Sequence, residues 1–271
     1  MDNRSIGVFD SGLGGLTAVK ELMKELPYEN LIYFGDTGRV PYGTRSDETI
    51  IKYSRSDVRF LESFQVKMIV IACGTVSSVA LPILKREFDT PILGVVEATA
   101  AAAVRRTRNC KIGVIGTPGT IKSGAYERWI KQADPRIETY SRACPLFVPL
   151  VENGHFDTQV AYLVAEEYLS ELREKGVDTL ILGCTHYPHL KQVIRRVMGD
   201  GVALIDPGVE IARYLKREFD EKQLHSDTVD AEQYRYFVSD SIEGFEALGS
   251  TFLERSINGR VKKIDIETYE K

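Results

Sequence analysis

VKMIVIACGTVSS, residues 66–78, decides the fold: a short continuous apolar run (68–72) leads into Cys73, and a helix-compatible segment follows. DTLILGCTHYP, residues 178–188, repeats that setting, with the run 180–182 ending one residue before Cys184 and Thr185. Apolar runs of this length read as buried strands and the patterns after them as helices. Each cysteine then stands at the carboxyl end of a strand, near a helix N-terminus. Open α/β sheets bind ligands at that edge, and helix N-termini lower thiol pKa values. A matched pair predicts two thiols facing one substrate.

Outward from these two stretches, strand-length and helix-length segments alternate. Strands are predicted at 6–9, 31–34, 68–72, 92–96, 111–115, 179–182, 202–205, 236–239 and 261–264, with helices at 13–26, 49–64 and 242–255 among those between them. This is the signature of βαβ units and a mostly parallel sheet. The halves echo each other. IGVFDSG starts at Ile6 and IGVIGTPG at Ile112, 106 positions later; Cys184 follows Cys73 by 111, and Asp206 follows Glu97 by 109. That spacing predicts a duplicated α/β domain rather than a solenoid. Two such halves place equivalent strand ends on opposite sides of one cleft.

Composition bounds the function. The chain has 271 residues, 43% hydrophobic and 27% charged, with a formal net charge of -4, which excludes the basic footprint of a nucleic-acid binder. No stretch approaches the roughly 18 apolar residues of a membrane span. The N-terminus, MDNRSIGVFDSG, lacks a signal-peptide apolar region, so a cytoplasmic protein is expected. Four cysteines in such a chain read as reduced thiols, not as a disulfide framework.

The loops supply the chemistry. Asp10-Ser11-Gly12-Leu13-Gly14-Gly15 permits tight turns, but its spacing is not that of a dinucleotide site, and Asp10 would repel a pyrophosphate. A carboxylate there suits an amino group or an acid/base pair; a helix cap at Asp10 or Ser11 is the plainer alternative. Pro41-Tyr42-Gly43 is a rigid turn with a polar-tipped aromatic, useful for clamping a carboxylate through backbone N–H groups, but taken alone it reads as an ordinary loop turn. Cys73-Gly74-Thr75 and Cys184-Thr185-His186 carry hydroxyls and backbone donors. His186, two residues from Cys184, fits proton handling; with His189 it lacks a third ligand, so no metal is expected. Glu152 sits in a Glu-Asn-Gly turn that is a cap or solvated loop as readily as a site. Cys110 and Cys144 lack the matched setting and read as structural.

Taken in order, DSGLGG at Asp10, GDTGRVPYG at Gly35, the ACGT cysteine loop, PLVENG at Pro149 and GCTHYP at Gly183 resemble the cofactor-independent glutamate racemases of the aspartate/glutamate racemase superfamily. The resemblance covers essentially the whole chain. It implies two similar flavodoxin-like parallel-sheet domains, 1–97 plus 207–271 and 98–206, with the active site in the cleft between them. It implies no cofactor and no metal, a homodimer, and a product, D-glutamate, that feeds peptidoglycan synthesis. By position, Cys73 and Cys184 would be the two bases, the first acting on D-glutamate and the second on L-glutamate. Asp10 would support Cys73, and Glu152 and His186 would support Cys184. Substrate contacts would come from Asp10, Ser11, Tyr42, Gly43, Gly74, Thr75, Thr185 and His186. One departure stands out: the family has Asn where this chain has Gly74, and restoring that amide is expected to be tolerated and to lower KM. Competing readings are an aspartate racemase of the same superfamily, a non-catalytic amino-acid-binding relative, and a pyridoxal-phosphate racemase, for which no segment is a candidate.

Overall fold

The computed structural model describes residues 1–230 and 232–270. Its strands are β1 (Ile6–Asp10), β2 (Leu31–Gly35), β3 (Met68–Ile71), β4 (Ile92–Gly94), β5 (Lys111–Gly116), β6 (Glu138–Ala143), β7 (Thr179–Leu182), β8 (Ala203–Ile205), β9 (Tyr234–Val238) and β10 (Val261–Lys263). Its helices are α1 (Leu16–Glu25), α2 (Asp47–Glu62), α3 (Gly74–Val79), α4 (Leu81–Glu87), α5 (Val95–Arg106), α6 (Pro118–Ser123), α7 (Ala125–Ala133), α8 (Phe147–Glu152), α9 (Gln159–Glu174), α10 (Lys191–Met198), α11 (Pro207–Lys222) and α12 (Ile242–Leu253).

Two sheets form. One has the order β10-β9-β2-β1-β3-β4, the other β6-β5-β7-β8, and every pairing is parallel. The quartets β2-β1-β3-β4 and β6-β5-β7-β8 share one connectivity, and it is the order at the heart of the flavodoxin-like fold. The duplicated α/β architecture read from the sequence is therefore present. β1, β2, β3 and β7 are buried along their whole length, as helix-covered parallel strands must be, which is why they read as unbroken apolar runs.

Three local expectations change. The strand predicted at 92–96 stops at Gly94, and Val95 opens α5. A short buried apolar run cannot tell strand from helix by periodicity. β6, partner of β5 and counterpart of β2, was not expected: Glu138–Ala143 is a half-exposed edge strand without an apolar run. α1 starts at Leu16 rather than 13, after a turn led by Gly14 and Gly15.

Two helices carry the chain between the sheets. α5 leaves β4 and leads to β5; its Val95, Val96, Ala98, Ala100, Ala102 and Ala103 are buried, and the small side chains let it pack closely. α11 returns the chain from β8, started by Pro207 and by an Asp206 side chain that accepts from the Gly208 N–H. α2 is amphipathic, burying Ile50, Val58, Phe60 and Leu61, and Ser46 caps it by accepting from the Thr49 N–H.

Candidate active site

The carboxyl ends of β1 and β3 in one sheet and of β5 and β7 in the other converge on a cavity of about 320 Å³. It is lined by Ser11–Leu13, by 40–44, by 73–75, by Thr117 and Pro118, by Pro145, Val148, Pro149 and Glu152, and by 183–186. Cys73 and Cys184, 111 residues apart, thus open onto one space from opposite sheets. Of the expected site residues, Ser11, Tyr42, Gly43, Gly74, Thr75, Glu152, Thr185 and His186 line it as well.

The two thiols have unlike surroundings. Cys73 is the N-cap of α3, a helix of only six residues, and its Sγ is 3.5 Å from Ser11 Oγ. The expected lowering by a helix N-terminus is overridden: burial and then the nearby Asp10 carboxylate push the Cys73 thiol up to about 12. Cys184 is not followed directly by an α-helix. A 3₁₀ turn, Tyr187–Leu190, intervenes before α10. Its Sγ instead lies 3.8 Å from His186 Nδ1, and His186 Nε2 is 3.1 Å from Glu152 Oε1. Burial pulls the imidazole down, but its bonds to Cys184 and Glu152 prevail and raise it to about 10. These contacts favour the imidazolium form of His186, set between a sulfur and a carboxylate.

Asp10 departs from expectation. It is completely buried and does not line the cavity, and it caps no helix. Its Oδ2 accepts from the Gly12 N–H at 3.0 Å, and its Oδ1 is 3.5 Å from Thr185 Oγ1 across the cleft. Burial raises its pKa, moderated by His186 and the backbone N–H groups. Tyr42 lines the cavity, but its hydroxyl is committed elsewhere, to Asp36 and Asp57, and its ring is buried. What the turn can offer a ligand is its backbone: among the described residues neither the Tyr42 nor the Gly43 N–H has an acceptor. His189 is stacked on Phe252 at 3.9 Å and is absent from the lining. Among the described residues no three His, Cys, Asp or Glu side chains are placed to hold a metal.

The two sides of the cleft touch closely. The Gly119 N–H donates to Gly43 O at 2.8 Å, and Thr17 Oγ1 donates to Thr185 O at 3.1 Å. Gly74 faces Gly183 so tightly that a Cβ there would lie 2.3 Å from the Gly183 carbonyl oxygen. The expected tolerance of an asparagine at 74 therefore meets a backbone obstacle. Thr117 was missed from sequence. Its hydroxyl is 2.9 Å from that of Thr75 and 3.0 Å from that of Thr120, and it lines the cavity. The duplication held the signal, since Thr117 stands 106 positions after Ser11, the offset of the two strand motifs.

Comparison with known proteins agrees with this geometry. Residues 17–215 match the Asp/Glu/Hydantoin racemase family. A glutamate racemase of Geobacter metallireducens is 48% identical over 97% of both chains. The solved structure of glutamate racemase from Francisella tularensis, in complex with D-glutamate, superposes with a TM-score of 0.92 at 40% identity, covering 99% of this chain and 100% of that one. Glutamate racemase from Thermus thermophilus, in complex with β-chloro-D-alanine, gives 0.88 at 42% identity, covering 98% and 99%. With two thiols facing one cleft between duplicated parallel sheets, and with likeness along nearly its full length to these enzymes, the chain belongs to the Asp/Glu/Hydantoin racemase family.

Proposed function

We propose that this protein interconverts L- and D-glutamate by two-base proton transfer at Cα, with Cys73 and Cys184 as the bases. The observation that carries the reading is the placement of both thiols on one cavity, from opposite sheets. Its names come from relatives: the Geobacter and Francisella proteins are glutamate racemases, and the latter holds D-glutamate.

The mechanism follows from the unlike thiols. A free thiol with a pKa of about 8.5 is only a few per cent ionised near neutrality. An imidazolium at His186 stabilises a Cys184 thiolate by charge and hydrogen bond, and Glu152 stabilises the imidazolium in turn. Cys73, held protonated by burial and the Asp10 carboxylate, is the matching acid. With L-glutamate bound, the Cys184 thiolate takes the Cα proton and the electron pair spreads into the α-carboxylate. The Cys73 S–H delivers its proton to the opposite face, leaving a Cys73 thiolate and a Cys184 thiol. D-Glutamate runs the sequence in reverse. Backbone N–H groups at Tyr42, Gly43, Gly74 and Thr75 are the donors available to the substrate carboxylates, the last two in the first turn of α3, where among the described residues they have no acceptor. Enclosure of the substrate in the cavity displaces water and strengthens each of these interactions.

Three further elements rest on the family resemblance: a cytoplasmic homodimer, supply of D-glutamate to peptidoglycan, and the preference for glutamate over aspartate. The division at 97/98 and 206/207 is our reading of the units, supported by α5 and α11 as the segments that join the sheets.

The test is incubation with L-glutamate, D-glutamate and L-aspartate, followed by circular dichroism. Turnover in deuterated water separates one base from two. A monoprotic thiol can return the proton it removed only to its own carbon, so product should carry solvent deuterium at Cα while recovered substrate carries little. Initial product that keeps its original Cα hydrogen overturns the two-base reading.

A further inference from the structure

Behind the 41–43 turn lie two fully buried carboxylates, Asp36 and Asp57, that take no part in the mechanism above. One cation serves both. Arg39 donates from Nε to Asp36 Oδ2 at 2.6 Å and from Nη2 to Asp57 Oδ1 at 2.9 Å. Its remaining nitrogen, Nη1, is 3.9 Å from Glu270, and the guanidinium stacks 4.3 Å from the Tyr53 ring centre. Buried charge is costly unless balanced, and one guanidinium cannot balance two carboxylates. Burial together with the Asp36 charge therefore drives the Asp57 carboxyl well up, towards its neutral form. The Tyr42 hydroxyl donates to Asp36 and lies 3.3 Å from Asp57 Oδ2. The Tyr42 hydroxyl is thereby held between the two carboxyl groups, donating to Asp36 and within reach of Asp57. Ser239 Oγ completes the cluster by donating to Asp36 Oδ1 at 2.8 Å.

Resting on the racemase reading above, we infer that Asp57, on α2 and outside the cavity, is a positioning residue for substrate binding. It anchors Tyr42 and Arg39 at once, and so fixes the backbone N–H groups of Tyr42 and Gly43 where they meet a substrate carboxylate. Asp36 holds the turn from the side of β9; Asp57 is the anchor from α2. Without Asp57 the turn keeps its sequence but loses one of its two fixed points.

The experiment uses the full chain and compares wild type, Asp57→Ala and Asp57→Asn. Steady-state racemisation is measured in both directions, and the Kd for D-glutamate by calorimetry. A loosened carboxylate clamp weakens ground and transition states alike, so Asp57→Ala should raise KM and Kd about ten-fold with kcat changed less than about three-fold. Asp57→Asn is neutral, isosteric and still able to donate, so it should recover most of that loss. A merely structural role would lower the unfolding midpoint without this split. KM and Kd within two-fold of wild type in Asp57→Ala overturn the inference, and Asp57→Asn as impaired as Asp57→Ala overturns the reading of Asp57 as an anchor that works in neutral form. If Asp57→Ala does not fold, Tyr42→Phe removes only the hydroxyl, and an unchanged Kd there also refutes the anchoring of the turn through Tyr42. Absent turnover in wild type would defeat the racemase reading, while the Kd ratio still judges Asp57.

Discussion

Gly74→Ala sets two effects of opposite sign against each other. Gly74 is the first residue of α3 and its φ is not left-handed, so on helix propensity alone alanine should stabilise, by up to about 1 kcal/mol. Packing opposes this. The new methyl would sit 2.3 Å from the Gly183 carbonyl oxygen and 3.2 Å from its carbon, where ordinary contact begins near 3.4 Å. The obstacle is backbone and cannot rotate away, so the seam must open by about 1 Å beside both thiols, as Gly74 adjoins Cys73 and Gly183 adjoins Cys184. Overpacking of this kind costs roughly 1–3 kcal/mol, which outweighs the propensity gain. A displacement of about 1 Å between reacting groups lowers the rate on the order of 10²-fold. The expected result is a lower unfolding midpoint in urea and a kcat reduced by about two orders of magnitude, with Gly74→Asn at least as impaired. Gly244→Ala, on the exposed face of α12 with open space around it, is the control and should keep full activity. A Gly74→Ala variant whose kcat stays within two-fold and whose midpoint does not fall would refute the reasoning.

Cys73→Ser and Cys184→Ser should each abolish racemisation with the fold intact, because serine is too weak an acid to be the base; near-normal turnover in either removes the two-thiol mechanism. Cys110→Ser and Cys144→Ser should stay active, since neither thiol lines the cavity, and loss of activity in a folded variant would show that the wrong pair was chosen. His186 is an imidazolium in the fold up to about 10 but loses its proton near 6.5 when free, so its stabilisation is complete below pH 6.5 and is lost as pH rises through about 10. Unfolding free energies of wild type and His186→Asn should therefore differ most below pH 6.5 and converge toward pH 10; a gap that widens with pH contradicts the imidazolium assignment.

Much of the architecture was legible because buried parallel strands have no solvent face. The runs at 6–9, 31–34, 68–72 and 179–182 needed only their composition to be read, and the loops after them fixed which residues meet. β6 escaped because its stability comes from pairing with β5 rather than from its own half-exposed side chains. The site was legible as residue types and only partly as directions. Nothing local to Tyr42 says that its hydroxyl turns away, because Asp57, one of its partners, stands 15 residues on along a different element. Nothing local to Cys73 says that burial defeats the helix end. The crowding at Gly74 depends on Gly183, more than a hundred residues away.

The unlike settings of the two thiols, one beside Ser11 and the other in a relay with His186 and Glu152, carry a kinetic consequence. Mirror-image amino acids have equal free energies in achiral water, so their equilibrium constant is one and no protein can alter it. For a racemase, kcat/KM in the two directions is then the same number, and asymmetry in the site emerges only as a matched inequality. The direction with the larger kcat must have the larger KM in equal proportion. On the proposed two-thiol mechanism, the free enzyme exists as two protonation isomers, each ready for one enantiomer only. Every net turnover leaves the molecule in the isomer suited to the substrate it did not consume. Solvent must carry a proton from one sulfur to the other before the next cycle, and at saturating substrate that reset, rather than Cα–H cleavage, can set the pace.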